Sequence, residues 1–287
     1  MKNFCRRFLK SYTHSPLMGV SCGAFFIIGS IVLGSHSLLA FFSIEGFVIV
    51  VGGVITVAFM SYETEDVHAA LDAIVRLFRE PKKPAENLHN DMTAIIYCAQ
   101  LVMEKGMRNL ESLVSRVGIR DPFVKYGLNM VISQYPPEEV RAMMETAADA
   151  AYEREIIPVE ILQAMASHAP AFGMIGTLIG MVAMLCNLSS DVSGIGANLA
   201  VSFLSTLYGV VSARMVYMPA ASKLRQEIDE RRFRNHLITE GMVMLVGKKT
   251  PMYVQDRLNS FLKPESHDYI GLVKDDAVSP PQVANAA

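Results

Sequence analysis

The sequence contains no tryptophan and little charge. Only 19% of its 287 residues are Asp, Glu, Lys or Arg, whereas 51% are hydrophobic. This composition argues against a soluble protein and favours a membrane protein. The formal net charge is -2, so charge indicates neither nucleic-acid binding nor an acidic tail. Any aromatic belt at a membrane interface must be built from tyrosine and phenylalanine.

Catalytic and metal-binding patterns are also lacking. The four cysteines are scattered and form no CxxC pair, which argues against a disulfide framework or a zinc site. The stretch "GMVMLVGKKT" has one residue too many between Gly241 and Gly247 for a phosphate loop, and Lys249 stands where Ser or Thr is needed. No nucleophile is paired with a base. The sequence therefore gives no support for an enzyme, a cofactor or a permanently bound metal.

Long uncharged segments are the strongest positive feature. Residues 11–44, 46–62, 161–190 and 192–213 contain no Lys, Arg, Asp or Glu. A membrane-spanning helix needs about 20 apolar residues. The pattern predicts an all-α polytopic membrane protein with four transmembrane helices in two hairpins and a helical cytoplasmic domain. The spans are expected at residues 17–34, 41–60, 168–188 and 197–219.

The distribution of basic residues predicts the orientation. Neither hairpin turn contains Lys or Arg, and Arg214 is the only basic residue in the four spans. By the positive-inside rule, both termini and the segment between the hairpins lie in the cytoplasm. The basic start leads directly into two spans without a clear cleavage site, so we expect no signal peptide. These features together predict a multi-pass membrane protein.

The remaining segments complete the domain organisation. A cytoplasmic tail (1–16) precedes the first hairpin (17–60), and the helical cytoplasmic domain is expected at 61–167. Apolar spacing there predicts helices near 86–105, 107–117, 122–134 and 137–156, with Pro158 kinking the chain. The second hairpin (168–219) is followed by cytoplasmic C-terminal helices (220–265) and a disordered tail (266–287).

The third span carries small residues around a single hydroxyl. Gly173, Thr177 and Gly180 lie close to one helical face, and Gly176 with Gly180 forms a small-xxx-small pair. Such glycines let helix backbones approach closely in lipid, and Thr177 would then bond back to its own helix. Close packing without any transport role is therefore one interpretation of this face.

The fourth span favours a second interpretation. Ser205 and Thr206 bring further hydroxyls, so that two neighbouring helices each present oxygen atoms on a small-residue face. Oxygen ligands at membrane depth can replace part of the hydration shell of a cation such as sodium. Neither span contains a carboxylate to balance a cation's charge. If this face is an ion path, the acid must come from another chain.

The last two spans also resemble a known family. "APAFGMIGTLIGMVAMLCNL" and "IGANLAVSFLSTLYGVVSARMVYMPAASKL" are similar to the paired third and fourth spans of the MotA/PomA flagellar stator family, within the MotA/TolQ/ExbB superfamily. The tail "ITEGMVMLVGKKTPMYVQDRLNSFL" fits the same family, and the resemblance extends over residues 17–262. It implies a homopentamer around a single-span, peptidoglycan-anchored partner of the MotB or PomB type. That partner would supply the ion-carrying Asp, and the ring would drive the rotor protein FliG.

The resemblance also assigns roles within the two spans. Pro170 and Pro219 match the prolines that bracket the channel helices, although Pro219 on its own equally suits a helix end. Thr177 and Thr206 match hydroxyl positions of the sodium-type members, whereas proton-type members tend to have Ala at the first position. Ser205 replaces the Thr of sodium-type members and keeps a hydroxyl. The transported ion is therefore expected to be Na+ rather than H+.

The resemblance places a rotor contact in the cytoplasmic domain. Glu111 matches the acidic contact, but Met103 stands where the family has a basic one, so Lys105 or Arg108 is expected to substitute. Glu45, at the periplasmic end of the second span, is expected either to attract cations to the pore mouth or merely to lie at the interface.

Two other functions stay open at this point. An ExbB/TolQ-type energiser of outer-membrane processes uses a related ring, but such proteins have three spans and a periplasmic N-terminus. A membrane scaffold without transport would tolerate Thr177→Ala and Thr206→Ala.

Overall fold

The structure is a computed structural model that describes residues 41–77, 84–117, 119, 121–187 and 195–262, together with the helical residues Phe25, Gly29 and Leu33. Over these residues the regular secondary structure is helical, which confirms the expected all-α class for this part of the chain. The first span, apart from those three residues, and the expected disordered tail lie outside the described residues.

The helices follow one another with short connections. In chain order they are α1 (Ile44–Phe47), a π-helical turn (Val48–Gly52), α2 (Gly53–Ser61), α3 (Thr64–Leu77), α4 (Pro84–Lys105), α5 (Met107–Val117), α6 (Pro122–Ile132), α7 (Pro137–Asn187), α8 (Ile195–Ser212), a second π-helical turn (Ala213–Tyr217), α9 (Met218–Val246) and α10 (Pro251–Asn259).

Local sequence explains several of the helix boundaries. Asp121 accepts hydrogen bonds from the amides at the start of α6, and Thr250 caps α10 in the same way. Each cap is followed by a proline at the first helical position, where its missing N–H costs nothing. Between α4 and α5, Gly106 has a φ of +78°, a left-handed conformation that glycine adopts without strain.

Three described helical segments are long and apolar enough to cross a membrane. They are Ile44–Ser61, Pro137–Cys186 and Asn198–Val246, and they contain most of the second, third and fourth expected spans. This finding supports a helical membrane protein. The described residues thus contain three of the four expected spans, because the first expected span lies almost entirely outside them.

Prolines do not interrupt the long helices. α7 continues through Pro158 and Pro170. The second π-helical turn lies directly before Met218 and Pro219. Proline lacks an N–H and its ring clashes with the carbonyl four residues earlier, and a wider π turn relieves that conflict. Pro219 therefore lies within helical backbone and does not mark a helix end.

The chain divides into two compact units, which we describe separately. The first unit comprises residues 1–81 and 155–226, and the second comprises 82–154 and 227–287. The second unit is built around large aliphatic and methionine side chains. Its largest fully buried members come from α5, α7, α9 and α10 and include Leu110, Met144, Leu237, Ile238, Leu245 and Leu258.

Ion pairs accompany this core in the second unit. The guanidinium of Arg234 donates to both Asp91 and Asp121, with Nη2 3.0 Å from Oδ1 of Asp91 and Nη1 2.5 Å from Oδ2 of Asp121. The Asp91 side chain is only 4% exposed. Arg141 pairs with Glu240 through a second bidentate contact. The buried carboxylate of Asp91 is therefore fully paired with Arg234.

Candidate ion-path site

The third and fourth spans meet backbone to backbone. A Cβ added at Gly173 would lie 3.0 Å from both the Ser205 carbonyl oxygen and Thr206 Cα. One added at Gly209 would lie 2.6 Å from the carbonyl oxygen of Ala169. Both neighbours are backbone atoms, which cannot move aside as a flexible side chain can. Glycine is therefore required at this crossing of α7 and α8.

Two further glycines of α7 receive serine side chains of α8. A Cβ at Gly176 would lie 2.4 Å from Ser205 Cβ, and one at Gly180 would lie 2.2 Å from Ser202 Oγ. The small-xxx-small pair recognised in the sequence thus forms the helix contact that such a pair is expected to form. Close packing is one role of this face.

The serine hydroxyls are occupied within their own helix. Ser205 is fully buried and its Oγ donates to the Val201 carbonyl at 2.8 Å. Ser202 is 2% exposed and donates to the Asn198 carbonyl at 3.0 Å. Both oxygens are therefore enclosed between the two helices.

The threonine hydroxyls have a different setting. Thr206 Oγ1 donates across the helix crossing to the Gly173 carbonyl at 3.4 Å, and Thr177 Oγ1 donates to the Met174 carbonyl at 2.6 Å. Both residues are only half-buried. A hydroxyl that donates its proton keeps lone pairs that can accept a bond or coordinate a cation. Thr177 thus bonds to its own helix, and its oxygen still retains the capacity to bind an ion.

Neither of the two crossing spans supplies a counter-charge to these oxygens. Neither the third nor the fourth span contains Asp or Glu. Among the residues that the structure describes, no group of three or more His, Cys, Asp or Glu side chains is placed to hold a metal ion. The two threonines offer oxygen ligands without a charge of their own.

The second span also packs on this site, a contact that was not among the predictions from the sequence. A Cβ at Gly46 would lie 2.8 Å from Ser205 Oγ, and one at Gly53 would lie 2.2 Å from the ring of Phe172. The run "GFVIVVGG" contains the relevant signal, because glycines spaced along an apolar helix indicate a close neighbour. Ser205 therefore lies between the second and third spans.

Tyr208 is a second residue of this site that the sequence pattern did not predict. Its hydroxyl lies 2.8 Å from the Ser43 amide nitrogen and 2.6 Å from the Phe41 carbonyl oxygen, at the start of α1. A tyrosine two residues after the paired hydroxyls was the available signal, because a buried phenol usually finds a hydrogen-bond partner.

The other predicted residues of the membrane segments occupy separate places. Pro170 is half-buried within α7, one turn before the Gly173 crossing. Pro219 is half-buried near the start of α9. Glu45 is exposed in the first turn of α1. The structure does not group Glu45 with the threonines, and its role at a pore mouth stays a prediction.

The predicted rotor contacts lie where α4 and α5 meet at Gly106. Lys105, Arg108 and Glu111 are all exposed there, and Met103 is 51% exposed. Leu110, on the opposite side of α5, is fully buried and fixes that helix on the core. The corner thus presents basic groups, acidic groups that include Glu104 as well as Glu111, and an uncovered methionine to the surroundings.

Known proteins resemble the chain in sequence and fold. Residues 115–235 match the MotA/TolQ/ExbB proton channel family. The chemotaxis protein PomA of Vibrio alginolyticus is 30% identical over 86% of the chain and 94% of its own length. The structure of C. jejuni MotAB superposes with a TM-score of 0.78 at 21% identity, covering 88% of this chain and 96% of that one. The structure of the flagellar MotAB stator complex from Bacillus subtilis gives a TM-score of 0.75 at 22% identity, covering 87% and 96%.

Proposed function

Because the chain belongs to the MotA/TolQ/ExbB proton channel family, we propose that it is the A subunit of a flagellar motor stator. In this role it forms an ion channel with a MotB- or PomB-like partner and couples cation influx to torque on the rotor. The likeness to PomA over most of both chains supports a motility function. The fold shared with two MotAB structures supports an assembly with a second subunit.

The proposed topology has four spans in the inner membrane, with both termini in the cytoplasm. Three candidate spans among the described residues support it, together with the uncharged run at 11–44 and the absence of Lys and Arg from both hairpin turns. An ExbB/TolQ-type energiser, the alternative within the same family, would have three spans and a periplasmic N-terminus. A reporter fused at Met1 distinguishes the two topologies.

One observation supports the ion path most strongly. Thr177 and Thr206 present half-exposed oxygens beside a glycine-packed helix crossing, in spans that contain no carboxylate. A cation in such an apolar setting requires a nearby negative charge. The partner's single span would supply it as an ion-carrying Asp. Na+ is the proposed ion because it prefers oxygen ligands, and no cofactor is required.

The proposed assembly is a homopentamer around the partner, acting on FliG. Lys105, Arg108 and Glu111 are the proposed rotor contacts, because their side chains are exposed at one helix corner. Glu45 is proposed to raise the local cation concentration at the periplasmic entrance, in line with its exposure in α1.

Complementation of a stator-deficient strain tests the function. Cells that express the chain with its partner should swim in sodium medium, stop without sodium and continue in the presence of a protonophore. Thr206→Ala should abolish swimming, while Thr206→Ser, which keeps the oxygen, should preserve it. Proton-driven swimming in sodium-free medium would contradict the choice of ion. Unchanged swimming of Thr206→Ala and Thr177→Ala would contradict the ion path and favour a scaffold.

A further inference from the structure

The start of α1 is attached to the fourth span through one phenol. The Ser43 N–H donates to the Tyr208 hydroxyl at 2.8 Å, and that hydroxyl donates to the Phe41 carbonyl at 2.6 Å. The ring of Phe47 meets the Tyr208 ring edge to face, with centroids 6.4 Å apart and planes at 77°. The hydroxyl thus serves as acceptor and donor at once, and the ring has an aromatic neighbour.

Both hydrogen bonds satisfy backbone groups where the chain enters α1. Ser43 is the N-cap of this helix, and its own Oγ accepts from the Gly46 amide at 3.3 Å. In an apolar environment, backbone groups without a helical partner must be satisfied by other protein groups. The Tyr208 hydroxyl satisfies two such groups, the Ser43 N–H and the Phe41 carbonyl, so the position of α1 depends on this hydroxyl.

The attachment places Gly46 directly on Ser205. A Cβ at Gly46 would approach Ser205 Oγ to 2.8 Å, and one at Gly176 would approach the same oxygen to 2.6 Å. Ser205 is therefore held between two glycines and is fully buried. The next residue, Thr206, donates to the Gly173 carbonyl across the same crossing.

We infer that Tyr208 is a positioning residue for the ion path, because its hydroxyl holds α1 on Ser205 and thereby fixes Thr206 at the helix crossing. Ser205 acts in this arrangement as a packing group, and the half-exposed threonines carry the oxygens that the ion meets. The role in ion passage rests on the function proposed above.

The first test compares two tyrosines of the same helical segment. Tyr208→Phe keeps the ring but removes both hydrogen bonds. Tyr217→Phe is the control, because Tyr217 is buried, whereas Tyr208 is half-buried, and the Tyr217 hydroxyl bonds to none of the described residues. Swimming speed is measured against sodium concentration in the complemented strain, with the amount of membrane-inserted protein measured by immunoblot.

Tyr208→Phe should raise the half-saturating sodium concentration by about three- to tenfold, because each of the two lost hydrogen bonds is worth about that factor and the ion path is affected only through the position of α1. Tyr217→Phe should leave the curve unchanged. A purely structural defect would instead lower the number of assembled stators and the maximal speed without shifting half-saturation. The inference is overturned by that pattern in Tyr208→Phe, by a curve identical to the wild type, or by an equal shift in Tyr217→Phe.

The second test uses size complementation at Ser205. Gly46→Ala should stop swimming because its methyl group collides with Ser205 Oγ. Combining it with Ser205→Ala removes that oxygen and should restore swimming to the level of Ser205→Ala alone. Gly176→Ala should not be rescued in this way, because its methyl group would lie 2.4 Å from Ser205 Cβ, which alanine retains. Loss of swimming in Ser205→Ala alone would overturn the packing role.

The outcomes separate this inference from the proposed function. If the wild-type chain supports no ion-driven swimming, the proposed function fails, and the attachment is then judged by thermal unfolding of the purified proteins. A lower unfolding temperature for Tyr208→Phe than for Tyr217→Phe supports the attachment, and equal temperatures refute it.

Discussion

The helix contacts described in the two units of the chain differ in kind. In the first unit, α7 and α8 meet through glycines that lie against backbone atoms and serine side chains. In the second unit, large aliphatic and methionine side chains fill the space between helices. Helices in lipid gain nothing by burying apolar surface from their apolar solvent, so they depend on close contact and hydrogen bonds. Helices in water gain about 25 cal/mol for each Å² of apolar surface buried.

The two units also differ in their charged residues. The third and fourth spans contain one charged residue, Arg214, and it is exposed. The second unit places Arg234 beside the almost completely buried Asp91. Desolvation lowers the pKa of the Arg234 guanidinium, but its hydrogen bonds to Asp91 and Asp121 outweigh this and raise the pKa above its usual value. The first unit is therefore expected to be most sensitive to added side-chain volume at its helix crossing. The second unit is expected to be most sensitive to the loss of a partner from its buried ion pair.

The largest expected effect concerns this ion-pair cluster. Arg234→Met leaves Asp91 buried without its partner and should destabilise the second unit by about 3–5 kcal/mol. Thermal unfolding of the purified protein in detergent, followed by circular dichroism, measures the change. Arg232→Met is the control, since Arg232 and Asp149 pair at 2.9 Å with side chains 42% and 53% exposed. It should cost at most about 1 kcal/mol, and equal losses in the two variants would contradict the importance of burial.

The next effect concerns the helix crossing of the first unit. Gly176→Ala forces a methyl group onto Ser205 Cβ and should cost about 1–3 kcal/mol by overpacking. Gly196→Ala is the matched control on α8, because nothing lies within 4 Å of a Cβ at that position. The amount of folded protein in detergent and its unfolding temperature are the measurements. Equal stability of the two alanine variants would show that α7 and α8 do not pack as described.

Replacing glycine with alanine should be much less destabilising in the second unit. A Cβ at Gly127 would meet Met144 Cε at 2.7 Å and Met242 Cγ at 2.9 Å. Met144 Cε is the end of a flexible side chain and can move, whereas Met242 Cγ can move only by rotation about its Cα–Cβ bond. Alanine is about 1 kcal/mol more favourable than glycine inside a helix, which offsets the cost of that adjustment. Gly127→Ala should therefore be close to neutral in the same unfolding assay. A loss as large as that of Gly176→Ala would remove the contrast between the two units.

The smallest effect is a pH dependence in the second unit. The hydrogen bond from Arg141 lowers the pKa of Glu240 below its ordinary value of 4.5. The pair therefore stabilises the fold above that value and loses its contribution as the pH falls through the lowered pKa. Arg141→Met should make the free energy of unfolding fall less steeply as the pH drops below 4.5. Parallel pH profiles for wild type and variant would contradict this coupling.

The sequence could predict the elements but not all of their contacts. Apolar spacing predicted helices near 107–117 and 122–134, and the structure has them at Met107–Val117 and Pro122–Ile132. Apolar periodicity does not reveal a contact between two residues that are far apart in the sequence. Nothing near Ser205 indicates that Gly46 lies on it, because the two are more than 150 positions apart. The pairing of Arg234 with Asp91 could not be predicted from the sequence either. The two residues are far apart in the chain, and the charge run 231–234 is typical of an exposed helix face.

The sequence alone determined the helical class and the lack of an acid in the two spans that contain Thr177 and Thr206, and it predicted which segments cross the membrane. These properties depend on local composition, because every stretch of about 20 residues must match its own surroundings. Only the tertiary structure decided which hydroxyls are enclosed and which remain half-exposed. Thr206 and Ser205 are neighbours of similar chemistry, yet the glycines of two other spans bury one oxygen and leave the other partly accessible. That distinction arises from contacts between distant segments, which no local pattern contains.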